Sequence, residues 1–204
     1  MKNLTLQFII LLLATIVLSS CKGKATKGCT DSTALNYDKT ASIDDGSCTY
    51  TKRTVGENYG GGIIFYVDAS GHHGLIAAPT DQSIGVRWNN VGYVIINSTS
   101  SAIGTGQANT TAIINKQGAG SYAAKLCDSV VIGGYSDWFL PSKDELKKMH
   151  SNLAYIGLGN FAKLQYWSST QYADDLAYYI GFDSGWIGFD PSGYPYHVRA
   201  ARAF

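Results

Sequence analysis

The chain carries little net charge and little charge of any kind: 16 lysines and arginines stand against 15 aspartates and glutamates, and charged residues make up 15% of the sequence. General nucleic-acid binding needs a concentrated positive field that displaces counterions, so a near-neutral body argues against it. The short signatures of several enzyme classes are also missing. No Gly-x-Ser-x-Gly elbow, His-Glu-x-x-His metal helix or Gly-x-x-x-x-Gly-Lys-Ser/Thr phosphate loop occurs. Gly157-Leu158-Gly159-Asn160-Phe161-Ala162 imitates a dinucleotide fingerprint, but it follows a helical pattern instead of joining strand to helix, and it is discarded. His72 and His73 stand side by side without further placed ligands, which does not make a shared metal site. Catalysis by two carboxylates needs geometry rather than motif, so Asp137 or Glu145 facing Asp174, Asp175 or Asp183 stays open as a glycan or cell-wall hydrolase. Against it, Glu145 occupies a helix-capping position and Asp174-Asp175 reads as a solvated loop, so the expectation is that the chain is not an enzyme.

What is present begins with an apolar start. Lys2 precedes a mostly apolar stretch from Leu4 to Leu18, closed by Leu18-Ser19-Ser20-Cys21. The pattern is that of a secretion signal over residues 1–20, too short and too weakly flanked for a membrane span. Its ending resembles the lipobox of bacterial lipoproteins, in which cleavage leaves Cys21 as the acylated first residue. The resemblance implies attachment to the membrane through lipid on Cys21 and a place in the cell envelope as an outer-membrane lipoprotein. Without Lys2, the mature chain has 15 basic and 15 acidic residues. Residues 21–27 form a short basic tether, and Lys22 and Lys24 stand where an acidic cluster would resemble a surface-export signal, so a surface or a periplasmic face is left open.

Cysteine use fits an oxidising compartment. With Cys21 lipidated, Cys29 and Cys48 are the natural disulfide, worth about 3 kcal/mol by loop-closure entropy. Cys127 is left as a buried apolar thiol in the helix-like run Tyr122–Cys127. The disulfide bounds a module at residues 28–50 that is too small to hold itself by a core. It resembles an Asp-rich module repeated in envelope and secreted proteins of Bacteroidetes-type bacteria. Asp31, Asn36, Asp38, Asp44 and Asp45 offer oxygen ligands for calcium or, as the absence of full EF-hand spacing favours, turn formers.

Residues 55–204 are long enough for a single core. Gly62–Val67 and Leu75–Ala78 flank a turn and form a hairpin, while the Gly-, Asn-, Ser- and Thr-rich middle from Asp81 to Gly120 reads as long loops around a short helix at Thr111–Asn115. Ser142-x-x-Glu145 after Pro141, with Leu146, Met149, His150 and Leu153 on one face, predicts a helix from Ser142 to about Tyr155, stopped by Gly157. Strands are predicted at Tyr166–Ser169, Ala177–Phe182, Trp186–Phe189 and Tyr196–Ala203, the intervening turns coming from Asp183-Ser184-Gly185 and Asp190-Pro191-Ser192-Gly193. The result is an α+β domain with a terminal antiparallel meander.

Four segments carry a resemblance: Gly61–Val67, Gly133-Gly134-Tyr135-Ser136-Asp137-Trp138-Phe139-Leu140-Pro141-Ser142-x-x-Glu145-Leu146, Tyr166-Trp167-Ser168-Ser169-Thr170 and Val198-Arg199-Ala200-Ala201-Arg202. Together they resemble, over most of Gly60–Phe204, the C-terminal domain family of a Legionella collagen-like adhesin. That resemblance implies a C-type-lectin-like fold with antiparallel strands and two or three helices, and adhesin-like binding with glycan as the leading ligand. Many relatives end Val-Arg-Cys-Val-Arg, where Ala200 replaces the cysteine here, so a disulfide to a residue like Cys127 is missing. Similarity to formylglycine-generating enzymes does not supply catalysis, since their paired active-site cysteines are absent.

Aromatic rings and Arg forks suit sugar faces and anionic groups. Trp186, beside Asp183 on a turn, is the leading contact, with Arg199, Arg202 and Trp167 as further candidates; Trp138 and Trp167, inside the motifs, read rather as framework. The alternative role of the arginines is pairing with an acid such as Asp137 to lock the last strand. An envelope protein is the other partner class, for a purely structural module.

Overall fold

The computed structural model describes residues 24–90, 92 and 95–204, so the signal segment and Cys21 lie outside the described residues. The chain divides into two compact units, one ending at Tyr50 and one spanning Thr51–Phe204.

In the first unit, strands β1 (Lys27–Gly28) and β2 (Ile43–Asp44) pair in parallel, and a disulfide joins Cys29 to Cys48. Among its described apolar residues only Cys29 and Ala34 are buried, so the crosslink supplies what a core cannot. The carboxylates are turned to local work. Asp31 accepts from Thr33 N and Oγ1, both at 2.8 Å, and from the Tyr50 hydroxyl at 2.7 Å. Asp38 repeats the arrangement on Thr40, while Asp44 accepts from Gly46 N and Asp45 from Ser47 N. Asn36 bridges Ser47 O and Thr49 N. These hydrogen bonds hold the Asp31, Asp38 and Asp45 carboxyls below the usual range. The oxygens close Asx turns, the turn-forming role that the spacing favours, and no cluster of three or more His, Cys, Asp or Glu able to hold an ion occurs among the described residues.

The second unit is α+β and contains two sheets. Its elements in chain order are β3 (Asn58–Tyr59), β4 (Gly62–Val67), β5 (Gly74–Ala77), β6 (Ser83–Val86), α1 (Gly106–Gln117), α2 (Ala123–Asp128), α3 (Lys143–Asn152), β7 (Gln165–Ala173), β8 (Leu176–Gly181), β9 (Ile187–Pro191), β10 (Tyr196–Val198) and β11 (Ala201–Ala203). One sheet runs β6-β10-β7-β8-β9 and the other β11-β5-β4-β3. Most pairs are antiparallel, but β10 lies parallel to β7, with His197 opposite Tyr166. The arrangement is consistent with a C-type-lectin-like fold.

The terminal run that reads as one strand is in fact two. Val198 pairs with Ser83 in the first sheet, whereas Ala201 pairs with Ala77 in the second. The cause is burial on all sides: residues 197–201 are interior, so the run lacks the alternation of a half-buried strand and crosses from one sheet to the other. Ala78 N donates to Ala200 O at 2.9 Å, and Ala200 N donates to the Gln82 side chain, stitching the crossing in place.

Helix α3 has the anticipated capping box, with Ser142 Oγ accepting from Glu145 N and Glu145 Oε2 accepting from Ser142 N. Leu146, Met149 and Leu153 pack in one buried cluster with Phe65, Tyr166 and Ile180. A single 3-10 turn at Ala154–Ile156 follows, ended by Gly157 at φ 77°. Helix α1 is longer than its sequence suggests, because a distant side chain completes it. Glu145 Oε1 accepts from Gly104 N at 2.7 Å and Gly106 N at 3.3 Å, satisfying donors at the α1 N-terminus. A Cβ on Gly106 would sit 2.2 Å from Glu145 Oε2 and 2.7 Å from the Phe139 ring, so this position has no room for a side chain.

Candidate functional site

The terminal arginines and motif tryptophans form the frame. Arg199 is 1% exposed. Its Nε donates to Asp81 Oδ1 at 2.6 Å, Nη1 to Ala78 O and Gly159 O, both at 2.9 Å, and Nη2 to Asn160 O at 3.4 Å. The guanidinium also lies 4.1 Å above the Phe161 ring. Asp81 Oδ2 accepts from the Tyr166 hydroxyl at 2.8 Å and faces His197 Nδ1 at 2.9 Å. Burial, then the Asp81 hydrogen bond, push the Tyr166 hydroxyl well above the usual phenol range. Trp167 is fully buried and donates to Val86 O and Tyr194 O, and buried Trp138 donates to Tyr135 O. Arg199 and Trp167 thus take the framework role rather than the contact role, since both side chains are buried. Arg202 stands at the edge of this frame, donating to Asp137 Oδ1 at 2.5 Å and lying 3.6 Å above Tyr135, the strand-locking arrangement.

The five acids weighed for catalysis are separated by their environments. Asp137 serves Arg202, Glu145 serves backbone N–H groups, and Asp175 takes the Ser192 hydroxyl. Asp174 and Asp183 are exposed.

Trp186 differs from the other three tryptophans in being 71% exposed. It ends the turn that joins β8 to β9, with Asp183 accepting from Ser184 Oγ at 3.0 Å. The turn is closed by Gly185 N donating to Gly181 O and Gly181 N donating to Trp186 O. Helix α3 supports it from below. Lys147 Nζ donates to Gly185 O at 2.5 Å, and a Cβ on Gly185, whose φ is 73°, would fall 2.6 Å from the His150 ring. His150 packs edge-on against Phe182 at 5.3 Å. Burial, then Lys147, hold the His150 imidazole below its usual pKa while Asp183 acts the other way.

The aromatic surface continues along β9, an edge of its sheet. Phe189 stacks on Tyr172 at 3.9 Å and 12°, and Tyr178 meets both rings edge-on. Lys143 Nζ lies 5.1 Å above Tyr178. Tyr172, Ile187 and Phe189 are exposed, and the register sets Tyr178 opposite Phe189. Sequence reasoning passed over these rings. Alternation in Ile187-Gly188-Phe189 was the available signal, because an edge strand that turns apolar residues to water shows the usual period on the wrong face. The edge presents rigid rings with few rotatable bonds beside Lys143, so contact there would cost little side-chain entropy.

The sequence model of the Lcl C-terminal domain family matches residues 78–202, more than half of the chain. The matched span contains the Asp137–Leu146, Tyr166–Thr170 and Val198–Arg202 segments and leaves out the hairpin strand Gly62–Val67. No curated protein matches the chain.

Proposed function

Because the chain belongs to the Lcl C-terminal domain family, we propose that it is an adhesin-like binding protein of the cell envelope that recognises glycan through the Trp186 turn and the adjoining β9 edge. The observation that carries this reading is the exposure of Trp186 on a turn whose backbone is fixed by Lys147 and floored by His150. A large ring held in water at a set angle costs solvation that a bound sugar face would recover. The tether is the acylated Cys21 that Leu18-Ser19-Ser20-Cys21 prescribes, and mass spectrometry showing an unmodified Cys21 would remove it. The chain performs no chemistry in this reading, with Asp137, Glu145 and Asp175 each engaged by a separate structural partner.

A glycan array probed with the full chain in detergent tests the reading. Wild type binds at least one glycan class, and Trp186→Ala loses about 2 kcal/mol, roughly thirtyfold in affinity, as a central aromatic contact does. Its melting temperature stays within about 2 °C, since an exposed ring contributes little to stability. No bound glycan, or equal binding by the variant, contradicts the reading; release of reducing ends from a polysaccharide would favour a hydrolase instead.

A further inference from the structure

We propose that a groove beside the β9 edge, between the segment 95–99, the C-terminal end of α1 and the end of β7, is a second subsite for an uncharged oligosaccharide. The proposal rests on the glycan reading and adds a place and a ligand class to it. Two open lobes of about 480 and 220 Å³ share Ile95, Ile96 and Asn97 as a common wall. The larger falls within the roughly 300–1,000 Å³ of small-molecule sites.

The groove is braced from one residue. Gln171 Oε1 accepts from Ile96 N at 2.6 Å, Gln171 Nε2 donates to Asp174 O at 2.8 Å, and Gln171 N donates to Thr99 Oγ1 at 3.1 Å. The walls are thus tied together before anything binds, which reduces the ordering cost of binding. Four further polar side chains are available. Asn97, Asn115, Lys116 and Asp174 line the lobes, are exposed and make no side-chain hydrogen bond or ion pair among the described residues. At the mouth stands the Tyr172 ring, 47% exposed and held by its stack on Phe189.

This set of groups selects its ligand. Two amides supply donors and acceptors together, as the hydroxyls of a sugar require, and an exposed ring suits the C–H face of a pyranose. One ammonium and one carboxylate balance each other, so the groove has no excess charge to draw a polyanion. An uncharged oligosaccharide fits better than a sulfated one.

Titration calorimetry of the full chain in detergent with cellohexaose, chitohexaose, mannohexaose and a heparin hexasaccharide at physiological salt tests the assignment. At least one of the three uncharged sugars binds, and Tyr172→Ala and Asn97→Ala each weaken it tenfold or more with the melting temperature kept. Binding that survives both substitutions but is lost in Trp186→Ala overturns the groove and leaves the Trp186 reading standing. Binding of none of the uncharged sugars overturns the groove, the array then deciding the Trp186 reading alone. Preference for the heparin hexasaccharide, abolished by Lys116→Gln, overturns the uncharged class.

Discussion

Replacing Asp81 with alanine is expected to destabilise the Thr51–Phe204 unit by about 3–5 kcal/mol, the range found when one partner of a buried ion pair is removed. Asp81 joins three groups from distant parts of the chain: Arg199, Tyr166 and His197. Its loss leaves the Arg199 guanidinium charged and interior, still facing Ala78 O, Gly159 O and Asn160 O but without a counter-charge. Arg199 cannot escape by deprotonating, because a guanidinium stays charged. The Tyr166 hydroxyl loses its acceptor at the same time. Thermal unfolding followed by circular dichroism should show a fall of roughly 10 °C or more, or no folded unit at all. Asp81→Asn keeps one acceptor oxygen and costs less than Asp81→Ala. A fall of under about 2 °C in Asp81→Ala would mean that the crossing between sheets is held by packing alone.

The second large effect is at Glu145. Its carboxylate is fully buried and accepts from Ser142 N, Gly104 N and Gly106 N, tying the starts of α1 and α3 together. Glu145→Ala leaves those donors facing a void and is expected to cost about 2–4 kcal/mol, from unsatisfied buried donors and the cavity together. The effect is limited by desolvation, which outweighs the hydrogen bonds and raises the Glu145 pKa. A carboxyl raised in the folded state binds its proton more tightly there than when unfolded. Its contribution is therefore greatest below the ordinary carboxyl range and diminishes as pH rises through the raised value. Urea unfolding of wild type and Glu145→Ala between pH 4 and 8 reads both quantities. A stability gap that widens with rising pH would contradict this sign.

Local chemistry made much of the fold legible. The hairpin strands, the capping box on α3 and the turns that bound β9 follow from alternation, an N-cap and Gly-bearing turns within a few residues of sequence. What escaped was set by residues far apart. Asp81 and Gln82 sit in a polar stretch that reads as loop, yet they hold Arg199 and Ala200 in the interior. Helix α1 extends because Glu145 reaches it from another element, overriding the poor helix propensity of its Gly, Asn and Thr residues. The break between Val198 and Ala201 is invisible to a period-2 pattern, since every residue across it is buried. At the candidate site, the exposure of Trp186 was readable from its turn. The alternation at Ile187–Phe189 hints at an exposed Phe189, but its stack on Tyr172 is not legible, because the two rings meet only when β7, β8 and β9 are laid side by side.

Labour is divided in the fold: motif aromatics and Arg199 build an interior, while Trp186 and the β9 edge face solvent as the proposed ligand surface. Acrylamide quenching of tryptophan fluorescence measures this division directly. Of the four tryptophans, Trp88, Trp138 and Trp167 are buried and Trp186 is exposed, so one readily quenched component is expected, and Trp186→Phe should abolish it. Quenching that persists undiminished in Trp186→Phe would show that the motif tryptophans reach solvent, and the division would fail.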